Sequence, residues 1–111
     1  MSEYFLTTGA ELDVAEILDY VSDDAIGAAM ELQEDFLAAF ARLAEFPHAG
    51  HVRADYAPPA VRFWVVRSYV VVYRADVTPI EILRVMSGYR DIAEQLTWGV
   101  SEAAGLALLV A

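Results

Sequence analysis

The sequence predicts an α+β domain in which a helical hairpin packs on an antiparallel sheet, in the order β-α-α-β-β-β. Two observations carry this. Between residues 60 and 92, β-branched and aromatic residues alternate with period two in three runs separated by short polar turns. Between residues 8 and 46, apolar residues instead recur every three to four positions, the spacing of one helix face.

Tyr4, Phe5 and Leu6, followed by Thr7-Thr8, read as a first strand that joins the sheet. Thr8 is the expected N-cap of the first helix, with Glu11 three residues on completing a capping box. Ala10, Val14, Ile17, Leu18 and Val21 then form an apolar stripe of about three turns, with Glu11, Asp13, Glu16 and Asp19 on or near the opposite face. Ser22-Asp23-Asp24 is expected to break this helix and cap a second one that runs to about Glu45. Its residues Ala25, Ala29, Leu32, Phe36, Ala39, Leu43 and Phe46 step by four and three, and Leu37 and Phe40 widen the seam. Ala28, Ala29, Ala38 and Ala39 permit close approach of the two helices. A coiled-coil homodimer is disfavoured, because the first helix needs a partner for its own stripe.

Pro47, His48, Gly50 and His51 end the helix, and Asp55 to Pro59 extend an irregular connection. The two histidines, three positions apart with no carboxylate at ligand spacing, read as exposed loop residues rather than a catalytic or metal pair. The sheet follows as Val61 to Val66, Tyr69 to Arg74 and Ile80 to Val85, with turns at Arg67-Ser68 and Ala75 to Pro79. Connections this short imply an antiparallel meander. Asp91 to Leu96 is expected to add one or two helical turns. Beyond it the run 97–111 loses its polar residues after Glu102 and reads as an apolar C-terminal extension to a domain spanning 1–96. Leu106 to Val110 is too short to cross a membrane, and docking on the chain's own sheet or helices is the favoured reading.

Composition narrows function. The chain has no cysteine, which excludes disulfides, thiolate metal sites and thiol nucleophiles, and no metal or cofactor is expected. MSEYFLTTG lacks the charged and apolar regions of a signal peptide, so a cytoplasmic location is expected. The formal charge is −10, and residues 1 to 46 carry all of it, with eleven acids against Arg42 alone. The remaining residues balance six acids with six arginines, five of which (Arg62, Arg67, Arg74, Arg84, Arg90) lie in the sheet region. An acidic front half repels nucleic acid, so no direct nucleic-acid binding is expected, although acidic helix faces also simply keep an apolar protein soluble.

The order of elements, together with local motifs, resembles the RelE/ParE superfamily of bacterial toxin–antitoxin toxins, and within it the ParE-like branch. The matching stretches are Ile17-Leu18-Asp19-Tyr20, Leu43 to Gly50 with its Phe46-Pro47-His48-Ala49-Gly50, Val61-Arg62, Tyr69 to Arg74, Ile80 to Val85 and Gly88-Tyr89-Arg90-Asp91-Ile92. Together they cover roughly residues 4 to 96. The resemblance implies a toxin neutralised by a ParD-like antitoxin that wraps over its surface. RelE-like members cut mRNA on the ribosome with basic and aromatic residues, whereas ParE-like members lack those residues and act on DNA gyrase. A nuclease that cuts through a 2′-hydroxyl needs a base, an acid and cationic stabilisation of the transition state. Here only Arg62, Arg84, Tyr89 and Arg90 are available, there is no lysine, and Ser87 stands where many relatives have histidine.

The resemblance therefore favours a gyrase inhibitor acting by protein binding, not an enzyme. A RelE-like mRNA endonuclease is the first alternative and a non-toxic binding module on the same fold the second. Arg62, Trp64, Arg67, Arg74, Arg84 and Arg90 are the candidates for contacting target or antitoxin. Two plainer roles stay open: arginines paired with Glu81, Asp76 or the acidic helices, and Trp64 and Tyr69 as core.

Overall fold

The computed structural model describes residues 3–88. The expected helical turns at Asp91 to Leu96, the extension 97–111 and the candidates Tyr89 and Arg90 lie outside the described residues. Strand β1 (Tyr4–Leu6) leads into helix α1 (Thr8–Asp24) and then α2 (Ile26–Glu45). Four further strands follow: β2 (His51–Val52), β3 (Val61–Val66), β4 (Tyr69–Arg74) and β5 (Ile80–Met86). The sheet order is β1-β5-β4-β3-β2. The three long strands form the antiparallel meander, as expected from their short turns. The sheet is not antiparallel throughout, because β1 returns through the whole helical hairpin and lies parallel to β5, Tyr4 opposite Ile80.

Three expectations for the helices and their ends need correction. The N-cap of α1 is Thr7, not Thr8: its Oγ1 accepts from the Ala10 N–H at 3.1 Å and donates to the Leu83 carbonyl at 2.8 Å. That second bond ties the helix start to β5, which selects Thr7 over its neighbour. The capping box with Glu11 is therefore not formed about Thr8. Ser22-Asp23-Asp24 does not break the helix but forms its last turn, and the chain turns at Ala25, which caps α2 without any side-chain bond. His51, expected in a loop, pairs with Phe63 in the short edge strand β2.

The core lies on both faces of the sheet. On the helix side Leu32, Phe36, Phe40 and Leu43 of α2 meet Val71, Tyr73, Ile82 and Val85, with Val14, Ile17, Leu18 and Val21 of α1 packed against them. Phe36 and Phe40 stack at 6.2 Å, and Tyr4 tilts against Phe40 at 5.5 Å. Of the small residues at the hairpin, Ala29 and Ala39 are buried while Ala28 and Ala38 face outward. On the other face Val61, Phe63, Val70, Val72, Leu83 and Met86 form a second cluster with Ala57 and Tyr56.

Strict alternation fails in β5. Val72 faces Arg84 while Tyr73 faces Ile82, so Leu83 has no partner and the strand bulges there. The extra residue puts Val85 on the helix side with Ile82, and Leu83 on the far side with Met86. The turn at Arg67-Ser68 has φ of 57° at Arg67, a positive value at the first central position that matches the twist of a two-residue hairpin.

Candidate functional site

Of the six contact candidates Arg90 lies outside the described residues, and each of the four described arginines has a partner within the chain. Arg62 donates through Nη1 to the carbonyls of Gly50 at 2.9 Å and His48 at 3.4 Å, closing the turn after α2. Arg67 pairs with Asp35 of α2 at the opposite end of β3. Arg74 pairs with Asp76 two residues on. Arg84 forms a two-bonded pair with Asp13 of α1 at 2.7 and 2.9 Å.

That last pair is the most enclosed, with side chains 29% and 13% exposed, and Asp13 also accepts the Val85 N–H at 2.9 Å. Hydrogen bonding to Asp13, more than its charge or that of Glu16, raises the Arg84 pKa further above its already high value, and burial opposes the shift. Asp13 thereby cross-links α1 to the bulged strand.

Trp64 is half-buried beside the helical core, and the Arg42 guanidinium lies 5.8 Å from its ring and 5.6 Å from that of Phe46. Tyr69 packs edge-on against Phe36 at 5.7 Å. Both aromatic residues thus border the core and still reach the surface. His48 and His51 are exposed, as expected. Among the described residues no group of histidines or acids is placed to hold a metal ion, and no helix is long and apolar enough to cross a membrane.

The Phe46-Pro47-His48-Ala49-Gly50 motif acquires a physical reason. The buried Tyr73 hydroxyl accepts from the Gly50 N–H at 2.8 Å and donates to the Pro47 carbonyl at 2.7 Å. Any Cβ at Gly50 would fall 2.5 Å from that hydroxyl oxygen and 3.0 Å from the Phe63 carbonyl. Burial raises the Tyr73 pKa, with the Gly50 hydrogen bond opposing. The motif is a structural lock that fixes where the chain enters the sheet.

A cleft of about 310 Å³ opens between α1 and the ends of β4 and β5. Glu16, Ile17 and Tyr20 line one wall, Tyr69 the other, and Val85 and Met86 the floor. Tyr20 is 78% exposed and also borders a second hollow at the hairpin turn with Asp23, Asp24 and Ala28. Ile26 and Met30 of α2 are 69% and 63% exposed. Glu16 and Tyr20 were not singled out as site residues from sequence. The signal was nonetheless there: with Asp13 they lie at i, i+3 and i+7 on a side of α1 that the apolar stripe does not occupy.

A family model described as "ParE toxin of type II toxin-antitoxin system, parDE" matches residues 4–92. Among solved structures the chain is similar to a protein of the "Chromosomal ParDE TA system from P. aeruginosa". The match has 23% identity and a TM-score of 0.66, covering 80% of this chain and 98% of that one. At this identity the likeness is one of fold. No curated protein matches the chain. The family match over residues 4–92, on the β-α-α-β-β-β-β framework described above, establishes that this chain belongs to the ParE toxin family of type II toxin–antitoxin systems.

Proposed function

We infer that the protein acts in the cytoplasm as a ParE toxin that inhibits DNA gyrase by binding it, and that a cognate ParD-like antitoxin holds it inactive. Residues 1–96 are the toxin domain on this reading, and 97–111 an apolar extension. The observation that favours binding over catalysis is the commitment of the arginines. Ribonuclease chemistry needs cations aimed at a phosphate. Yet Arg62 is spent on two backbone carbonyls and Arg84 on Asp13, leaving Tyr89 and Arg90 outside the described residues. The exposed apolar residues at the helical hairpin are instead the kind of surface that protein partners cover. On this reading Arg62, Arg74 and Arg84 support the fold, and Trp64, Arg67 and Arg90 are the contact candidates.

The test is induced expression of the full chain without antitoxin in a bacterial host, following growth, the DNA damage response and transcript integrity in one culture. Growth arrest with a damage response and intact transcripts supports the proposal. Arrest with transcripts cut within codons would replace it with the endonuclease reading. A soluble, folded chain that leaves growth untouched would point to a non-toxic binding module.

A further inference from the structure

We propose that the cleft between α1 and the ends of β4 and β5 seats an arginine side chain of the antitoxin, presented by a basic segment that runs on over Tyr20 towards the hairpin turn. This rests on the reading of the chain as an antitoxin-neutralised toxin, and adds the chemistry of the neutralising contact.

Three observations converge on a cation. The first is the lining. Tyr20 and Tyr69 supply two aromatic rings beside the apolar Ile17, Val85 and Met86, with Ser87 and two carboxylates, Asp13 and Glu16, in the lining. A planar guanidinium can stack on a ring and bond a carboxylate with its edge, which a compact ammonium cannot do as well. The second is which carboxylate is available. Both Asp13 oxygens are taken, Oδ1 by Arg84 and Oδ2 by Arg84 and the Val85 N–H. Glu16 makes no ion pair among the described residues. The third is the field around the cleft. Helix α1 carries six acids (Glu11, Asp13, Glu16, Asp19, Asp23, Asp24) and no base. An anionic segment would be repelled as it approached, and a cationic one drawn in.

The geometry also supports an occupant longer than one side chain. Tyr20 is a wall shared by the cleft and the hollow of about 470 Å³ at the hairpin turn, where Asp23 and Asp24 continue the acidic lining. Tyr69 is held from behind by Phe36, so its side of the cleft is already formed before a partner arrives. A largely exposed tyrosine between two hollows is a favourable anchor for an interface.

Two assays on the full-length chain separate this inference from the functional reading beneath it. In the first, N-acetyl-arginine amide is titrated into isotope-labelled protein, with N-acetyl-citrulline amide as its neutral counterpart. Saturable shifts confined to amides of α1 and the β5 end are expected for arginine, about tenfold weaker with citrulline, and lost in Glu16→Gln and Tyr20→Ala. Equal shifts with both probes would overturn the proposal. So would a cleft that accepts arginine only after Arg90→Ala, since the chain's own Arg90 would then be the occupant.

In the second, antitoxin affinity is measured by calorimetry. About a tenfold loss is expected in each variant, together with a weaker salt dependence for Glu16→Gln. Tight antitoxin binding that neither variant weakens would overturn the cleft proposal and leave the toxin reading intact. Failure of the unaltered chain to bind any antitoxin would overturn the reading on which the proposal rests, whatever the arginine titration shows.

Discussion

Tyr73→Phe removes one oxygen atom from the lock between β4 and the end of α2, and its cost follows from what that oxygen holds. The hydroxyl accepts from the Gly50 N–H and donates to the Pro47 carbonyl, and the ring is fully buried. Each intramolecular hydrogen bond contributes about 1 kcal/mol net, and a buried group left without a partner costs about 1–3 kcal/mol. The Gly50 end is buried and the Pro47 end only partly so, which leaves water able to satisfy one side. The expected loss is therefore about 2–3 kcal/mol, read as a lower urea midpoint at unchanged m-value. Gly50→Ala should cost at least as much, because its Cβ meets the ring edge at 2.7 Å and the Phe63 carbonyl at 3.0 Å, and backbone cannot swing aside.

The two changes share one contact, so the double variant should be less destabilised than the sum of the single ones by about 1 kcal/mol. Titration supplies an independent check. Burial raises the Tyr73 pKa above its ordinary value of 10.0, so the folded state keeps this proton where the unfolded chain has lost it. The corresponding stability is present in full below pH 10 and is lost as pH rises through the folded-state value. The fall in stability above pH 10 should accordingly be shallower in Tyr73→Phe. A Tyr73→Phe protein within about 0.5 kcal/mol of the original, with an unchanged alkaline limb, would refute the reasoning.

The arginines should divide by enclosure. Arg84→Ala leaves Asp13 largely buried against β5 with one strong partner gone, and about 2–3 kcal/mol of stability should go with it in urea denaturation. Arg67→Ala and Arg74→Ala break more exposed pairs and should each cost less than about 1 kcal/mol. At the start of α1, Thr7→Ala should cost about 1–2 kcal/mol, while Thr8→Ala should stay within about 0.5 kcal/mol. Thermal melts of the two threonine variants suffice to tell Thr7 from Thr8 as the cap.

Much of the fold was legible because its long elements carry strong periodic signals. The seam of α2 buries Ala29, Leu32, Phe36, Ala39, Phe40 and Leu43 as its spacing marks, although Leu37 and Phe46, read into the same seam, stay exposed, and the three meander strands pair as their turns require. What was not legible depends on contacts distant in sequence. Strand β2 has two residues and exists because His51 and Val52 meet Phe63 and Arg62. Thr7 prevails over Thr8 through a carbonyl 76 residues away. Ser22, Asp23 and Asp24 have the local chemistry of a helix start, and two acids in a last turn oppose the helix dipole, so local preference pointed away from the final turn they form.

The site was harder still. Arginines in a sheet look available until Asp13 is found 71 residues from Arg84 and Asp35 32 residues from Arg67. Glu16 and Tyr20 gain meaning only when β4 and β5 close the cleft beside them.

On the proposed reading this toxin disables gyrase by occupying it. The most direct measurement adds the purified full-length chain to purified gyrase and follows DNA supercoiling, with ribosome-bound mRNA integrity assayed beside it. Inhibition that rises with toxin concentration, reverses on adding antitoxin and leaves mRNA whole is the expected result. Undisturbed supercoiling alongside cleaved mRNA would contradict the claim.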